Sequence, residues 1–245
     1  MSFQELFQVP VLAACICILA VVLGAVFGSL LNRMARKMVH GESVLSGKCR
    51  YCGEKVSPRC MMTELVSAGL WLLCLTQLGL TPQLIRGLFL TCILFTLSLV
   101  DLESYRIPNS LILALLVVYA ATFPFIELDL LGIGAPQQEP GSLLLSHLGG
   151  AFLLGGGLRL ISLVFDRITG KGGLGGGDIK LFFAAGLYLG PLCGLLCVIV
   201  SCMFGLCFVA VRKTRKIPFG PAISMGILFC LYWREPLVNW YLSLL

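Results

Sequence analysis

Charge is what this sequence has least of. Only 12% of its 245 residues are charged, against 58% hydrophobic, and the mean hydropathy is +0.96. Soluble domains carry about twice that share of charge, so an ordinary soluble fold is excluded. The net charge of +6 does not point to nucleic acid. The basic residues fall between apolar runs, where they set membrane topology. Histidine is scarce, with only His40 and His147, and no Ser/His/Asp arrangement accompanies any motif. Met1 to Gln8 holds Glu5 but no Lys or Arg. A removable signal peptide would start with basic residues, so the first apolar run reads as an anchor with its N-terminus outside. A disulfide framework is missing as well. Nine of the 12 cysteines lie inside apolar runs, where Cys serves as a small hydrophobe. Only Cys49, Cys52 and Cys60 stand in a polar loop.

What is present is a series of apolar runs. A helix needs about 20 such residues to cross a bilayer. The runs predict spans at about 9–32, 62–80, 84–102, 108–126, 143–165, 179–192, 194–211 and 220–241. The expected fold class is therefore all-α, a polytopic integral membrane bundle of about eight helices with a small cytosolic loop domain at 33–61. The sixth and seventh spans part only near Gly190-Pro191. Inner loops hold Arg33, Arg36 and Lys37, then Arg106, then Arg167 and Lys171, then Arg212 to Lys216. Outer loops hold only Arg86 and Arg234, plus the acids Glu127, Asp129 and Glu139. That asymmetry supports both ends outside. His147 is expected at the outer interface, and Arg159 is expected to snorkel at the inner one. The glycines at 149–150 and 155–157 are expected to allow close helix packing.

Two acids break the apolar pattern. Asp101 ends Leu97-Ser-Leu-Val-Asp101 and precedes Arg106-Ile-Pro-Asn109. Asp178 closes Gly172-Gly-Leu-Gly-Gly-Gly-Asp178 and precedes Ile179-Lys180. Ionisable groups at a bilayer edge are expensive and are functional candidates by default. The glycine run is not a phosphate loop, which would end in Gly-Lys-Ser/Thr. Asp178 taken alone also fits a plain helix cap, and Asp101 taken alone fits a helix-end acid neutralised by Arg106. Together, on one cytoplasmic side, they fit paired carboxylates. Amide hydrolysis needs a base for water and an acid for the carbonyl and the leaving amine. Two close carboxylates sharing one proton provide both and titrate as a pair. No metal is required for that chemistry.

Asp101 with Arg106-Ile-Pro-Asn109, Leu174-Gly-Gly-Gly-Asp178-Ile-Lys-Leu181 and Ile217-Pro-Phe-Gly-Pro221 together resemble the type IV prepilin peptidases. These are bacterial membrane aspartyl proteases of the Gly-x-Gly-Asp class. Gly28-Ser-Leu-Leu-Asn32 and Glu64 resemble that family too. The resemblance implies that Asp101 and Asp178 are catalytic. It also implies that Gly175, Gly177, Lys180, Arg106, Pro218 and Gly220 shape the substrate side. The implied partners are prepilin or pseudopilin precursors, cut after a Gly that ends a short basic leader, and the lipid bilayer. The implied location is the bacterial inner membrane. Residues 81–245 are then the peptidase part.

The resemblance implies that residues 1–80 are a reduced methyltransferase-like region. It implies too that bifunctional family members methylate the new amine with S-adenosylmethionine, a function linked to a loop that in many of them carries two Cys-x-x-Cys pairs. Here only Cys49-Arg-Tyr-Cys52 is present. A tetrahedral zinc site wants four ligands, and Cys60 and His40 are the only further candidates for a Cys3His set. The short loop weakens methylation, S-adenosylmethionine and zinc more than it weakens cleavage. A small transporter or channel is the rival reading, because it also uses intramembrane acids and broken helices. Transporter acids usually lie near the midplane, whereas these lie at span ends.

Overall fold

A computed structural model describes residues 10–40, 58–126, 140–170, 173–212 and 218–243. Among the described residues every regular element is helical. They run α1 (Pro10–His40), α2 (Pro58–Leu78), α3 (Pro82–Ser104), α4 (Asn109–Ile126), α5 (Pro140–Ala151), a π-helical turn (Phe152–Gly156), α6 (Gly157–Thr169), α7 (Gly176–Arg212), α8 (Gly220–Tyr232) and α9 (Arg234–Leu242). Among the described residues six stretches are long and apolar enough to cross a membrane, with Gly220–Tyr232 as a shorter apolar helix. Large apolar side chains such as Val11, Leu65 and Leu206 stand exposed on outer faces, as lipid-facing residues do. The chain is a polytopic helical membrane protein. It divides into two compact units, Met1–Ser104 and Tyr105–Leu245.

In the first unit α1 and α2 pair through glycine. A Cβ on Gly24 would fall 2.8 Å from Ala68 Cα, and one on Gly28 would fall 2.7 Å from Ser67 Cβ. This is the small-xxx-small contact by which membrane helices bring backbones together. Phe27 stacks on Trp71 beside it, with centroids 4.9 Å apart. Helix α1 continues to His40, so the first third of the expected cytosolic loop is helical. Residues 33–40 contain no Gly or Pro to stop it and several good helix formers. Gly79, at φ 61, ends α2. Arg86, read as an outer-loop charge, instead lies inside α3 and is buried.

In the second unit α7 is the centre, with α5 and α8 packed against it. Gly190 has φ 73 and ψ −176, a conformation open to glycine alone. Pro191 follows and has no N–H to continue the helix. The expected boundary between the sixth and seventh spans is thus a break inside α7. Of the five glycines expected to pack closely, Gly150 and Gly155 do so, against Gly186 and Phe183, while Gly149, Gly156 and Gly157 face open space. The last expected span is two helices. Pro236 cannot donate to the Tyr232 carbonyl, and its ring crowds that carbonyl, so α8 stops at Tyr232. His147 is buried in the second unit, 4% exposed. Its Nδ1 lies 2.7 Å from Tyr119 Oη of α4, and a polar partner is what makes burial tolerable. Tyr188 Oη of α7 donates to the Leu115 carbonyl at 2.6 Å.

Candidate functional site

Asp178 is set by its own neighbours in sequence. The Ile179 N–H donates to the Gly175 carbonyl at 3.3 Å, so α7 starts at Gly176 with Gly175 as its cap and Asp178 in its first turn. That end of a helix carries partial positive charge, which favours a carboxylate. The side chain folds back over the cap: a Cβ on Gly175 would sit 2.9 Å from Asp178 Oδ2. Gly177 is seated on Ile107, where a Cβ would come within 3.0 Å of the Ile107 Cβ. Lys180 Nζ donates to Asn109 Oδ1 at 2.9 Å. The segment carrying Arg106 and Pro108 is thereby tied to the first turn of α7 within the second unit. Asp178 is half-buried, and Lys180 and Arg106 are exposed. Gly175→Ala is expected to push the Asp178 carboxylate off the cap, with a fall of about tenfold in kcat and little change in expression. Unchanged kcat with purified protein would show that the cap position does not matter.

The third motif begins α8. Pro218 and Gly220 are buried, and the Phe219 carbonyl accepts the Ile223 N–H at 3.1 Å. The Phe219 ring lies over Gly205 in the second half of α7, 2.7 Å from where a Cβ would be. The prolines and glycine therefore fix the start of α8 against α7.

Asp101 belongs to the first unit. It stands in the last turn of α3 and is 4% exposed. A carboxyl so buried is costly unless its setting compensates. The helix ends at Ser104, whose Oγ donates to the Val100 carbonyl at 2.8 Å. Tyr105 follows at φ 54, a left-handed conformation that costs a non-glycine residue roughly 1–2 kcal/mol. Nothing in the sequence marks that tyrosine, since Gly or Asn is usual there. Asp101 lies at the end of α3 and Asp178 at the start of α7.

Cys49 and Cys52 lie outside the described residues. Their two candidate co-ligands are engaged separately. Cys60 accepts Asn32 Nδ2 at 3.4 Å and Arg36 at 3.9 Å, whereas His40 Nε2 is 3.5 Å from Glu103 Oε2. Among the described residues no group of three or more His, Cys, Asp or Glu is placed to hold a metal ion. Glu64 is half-buried on α2, opposite Gly28.

A family model described as the type IV leader peptidase family matches residues 88–210, half of the chain. That stretch contains both Asp101 and Asp178. The chain belongs to the type IV leader peptidase family. Among its relatives is a prepilin leader peptidase/N-methyltransferase of Aeromonas salmonicida (strain A449), 33% identical over 218 residues. That match covers 81% of this chain and 66% of the relative, just under two thirds. Proteins of the same name from Neisseria gonorrhoeae and Bacillus subtilis (strain 168) are 32% and 26% identical. Those matches cover 82% and 81% of this chain, and 68% and 75% of the relatives. No solved structure matches the chain.

Proposed function

We propose that this family member is an aspartic endopeptidase. It removes the leader from prepilin- or pseudopilin-like precursors at the cytoplasmic face of the bacterial inner membrane. The observation that carries this reading is the pair of helix-end acids, Asp101 and Asp178, both inside the stretch matched by the family model. The names of the relatives support the substrate class.

The two carboxylates work as one acid/base pair sharing a proton. The charged member takes a proton from water as the water oxygen bonds to the scissile carbonyl carbon. The protonated member gives its proton to the carbonyl oxygen. The tetrahedral adduct then collapses, the C–N bond breaks, and a proton passes to the leaving amine. The products are a leader ending in a carboxylate and a pilin with a new amino group. Gly175 and Gly177 let Asp178 and Ile107 close on the backbone of the active-site loop, while Lys180, Arg106, Pro218 and Gly220 hold the flanking segments. The catalytic part is assigned to 81–245. The 1–80 part is assigned the reduced methyltransferase-like role, and neither S-adenosylmethionine nor zinc enters the cleavage.

Co-expression with candidate prepilins from the same genome, read by intact-mass spectrometry, tests this. The expected product has lost the leader, carries no methyl group at its new N-terminus, and forms equally well after chelator treatment. Full-length precursor in every pairing, despite good enzyme expression, overturns the reading.

A further inference from the structure

Asp166 lies outside every motif read from the sequence, and it stands where an acid is out of place. It occupies the last turn of α6, the helix end whose exposed carbonyls favour cations. Its carboxylate has a specific use. Oδ1 accepts the N–H of Gly173 at 2.6 Å, a short charge-assisted bond. Its own carbonyl accepts the N–H of Gly170 at 3.0 Å, with Gly170 at φ 65 and ψ 9 closing the helix. One residue therefore ends α6 and also holds the chain that leaves it. Gly173 is nested there: a Cβ would come within 3.1–3.2 Å of Asp166 Oδ1, Phe165 and Ser162 Oγ. Ser162 is the buried side chain of α6.

The other end of the glycine run is fixed by Gly177 on Ile107 and by Lys180 on Asn109. Asp178 sits next to that second anchorage and five residues beyond the first. Glycines between two fixed points wander least, and glycines freed at one end regain a wide conformational range. We infer that Asp166 is a positioning residue: it latches the glycine run to α6 and so holds Asp178 in its working place. The inference rests on the peptidase reading for its activity consequence, but not for its structural one.

Purified full-length Asp166→Ala and Asp166→Asn proteins in detergent test it. The substrate is a prepilin with a short basic leader ending in Gly, and the loop is followed by hydrogen–deuterium exchange. Asp166→Ala is expected to lower kcat about tenfold with KM within twofold, and to speed exchange over 173–178. Asp166→Asn keeps an acceptor oxygen and is expected to recover most of both. Wild-type kcat or unchanged exchange in Asp166→Ala overturns the latch. Equal damage in both variants, with a rise in KM, also overturns it in favour of a general structural role. If the wild-type protein cleaves nothing, the peptidase reading falls, and the exchange data alone decide whether the latch exists.

Discussion

Asp178→Asn and Asp101→Asn are each expected to lower leader cleavage by about 10³-fold or more, within the range that acid/base groups contribute. Asparagine keeps the size of the side chain, so the buried position of Asp101 and the helix-start position of Asp178 are both preserved in outline. What it removes is the ability to exchange a proton. In the proposed mechanism the two acids act as one unit, so the double variant is expected to be little worse than either single one. Membrane insertion and elution in detergent should match wild type in all three. Cleavage within tenfold of wild type by either single variant, measured with purified enzyme and prepilin, would end the two-carboxylate mechanism. A double variant whose loss equals the product of the single losses would instead show two groups working independently.

The second large effect concerns folding. Gly186→Val is expected to abolish recovery of monodisperse protein. A Cβ at Gly186 would sit 2.5 Å from the Gly150 carbonyl oxygen and 2.7 Å from Ala151 Cα. These are backbone atoms and cannot swing aside as a side-chain tip can. Overpacking into side chains typically costs about 1–3 kcal/mol, and here α5 and α7 would have to separate. Gly149→Val, one position from Gly150, meets nothing within 4 Å and should be recovered like wild type. A normal elution profile for Gly186→Val would show that this crossing is not what holds the second unit together.

Hydropathy made the helices legible, because each crossing run is long and nearly free of charge. Their ends were less so. The extension of α1 to His40 follows from an absence of breakers in a charged stretch, and hydropathy discounts such a stretch. The stop at Tyr232 had a visible cause in Arg234-Glu-Pro236, which the expected span of 220–241 runs across. Gly24 and Gly28 carried a readable spacing, yet only the partner helix shows which glycines are used. His147 could not be placed from its own surroundings, since Tyr119 lies 28 positions away. At the candidate site the Gly-Asp pattern correctly marks Asp178 as a helix-start acid, and the run before it marks backbone freedom. Asp166 stayed hidden because an acid near Arg167 looks like an ordinary surface charge. Its role depends on where the chain turns after α6.

The break at Gly190 also sets the length of the helix that starts beside Asp178. At 1.5 Å per residue the half of α7 over 176–189 is about 21 Å long, whereas a typical hydrocarbon core is about 30 Å thick. Leu181, Phe182, Ala184, Ala185, Tyr188 and Leu189 in that half are buried, so its length is matched to the helices packed around it and not to lipid.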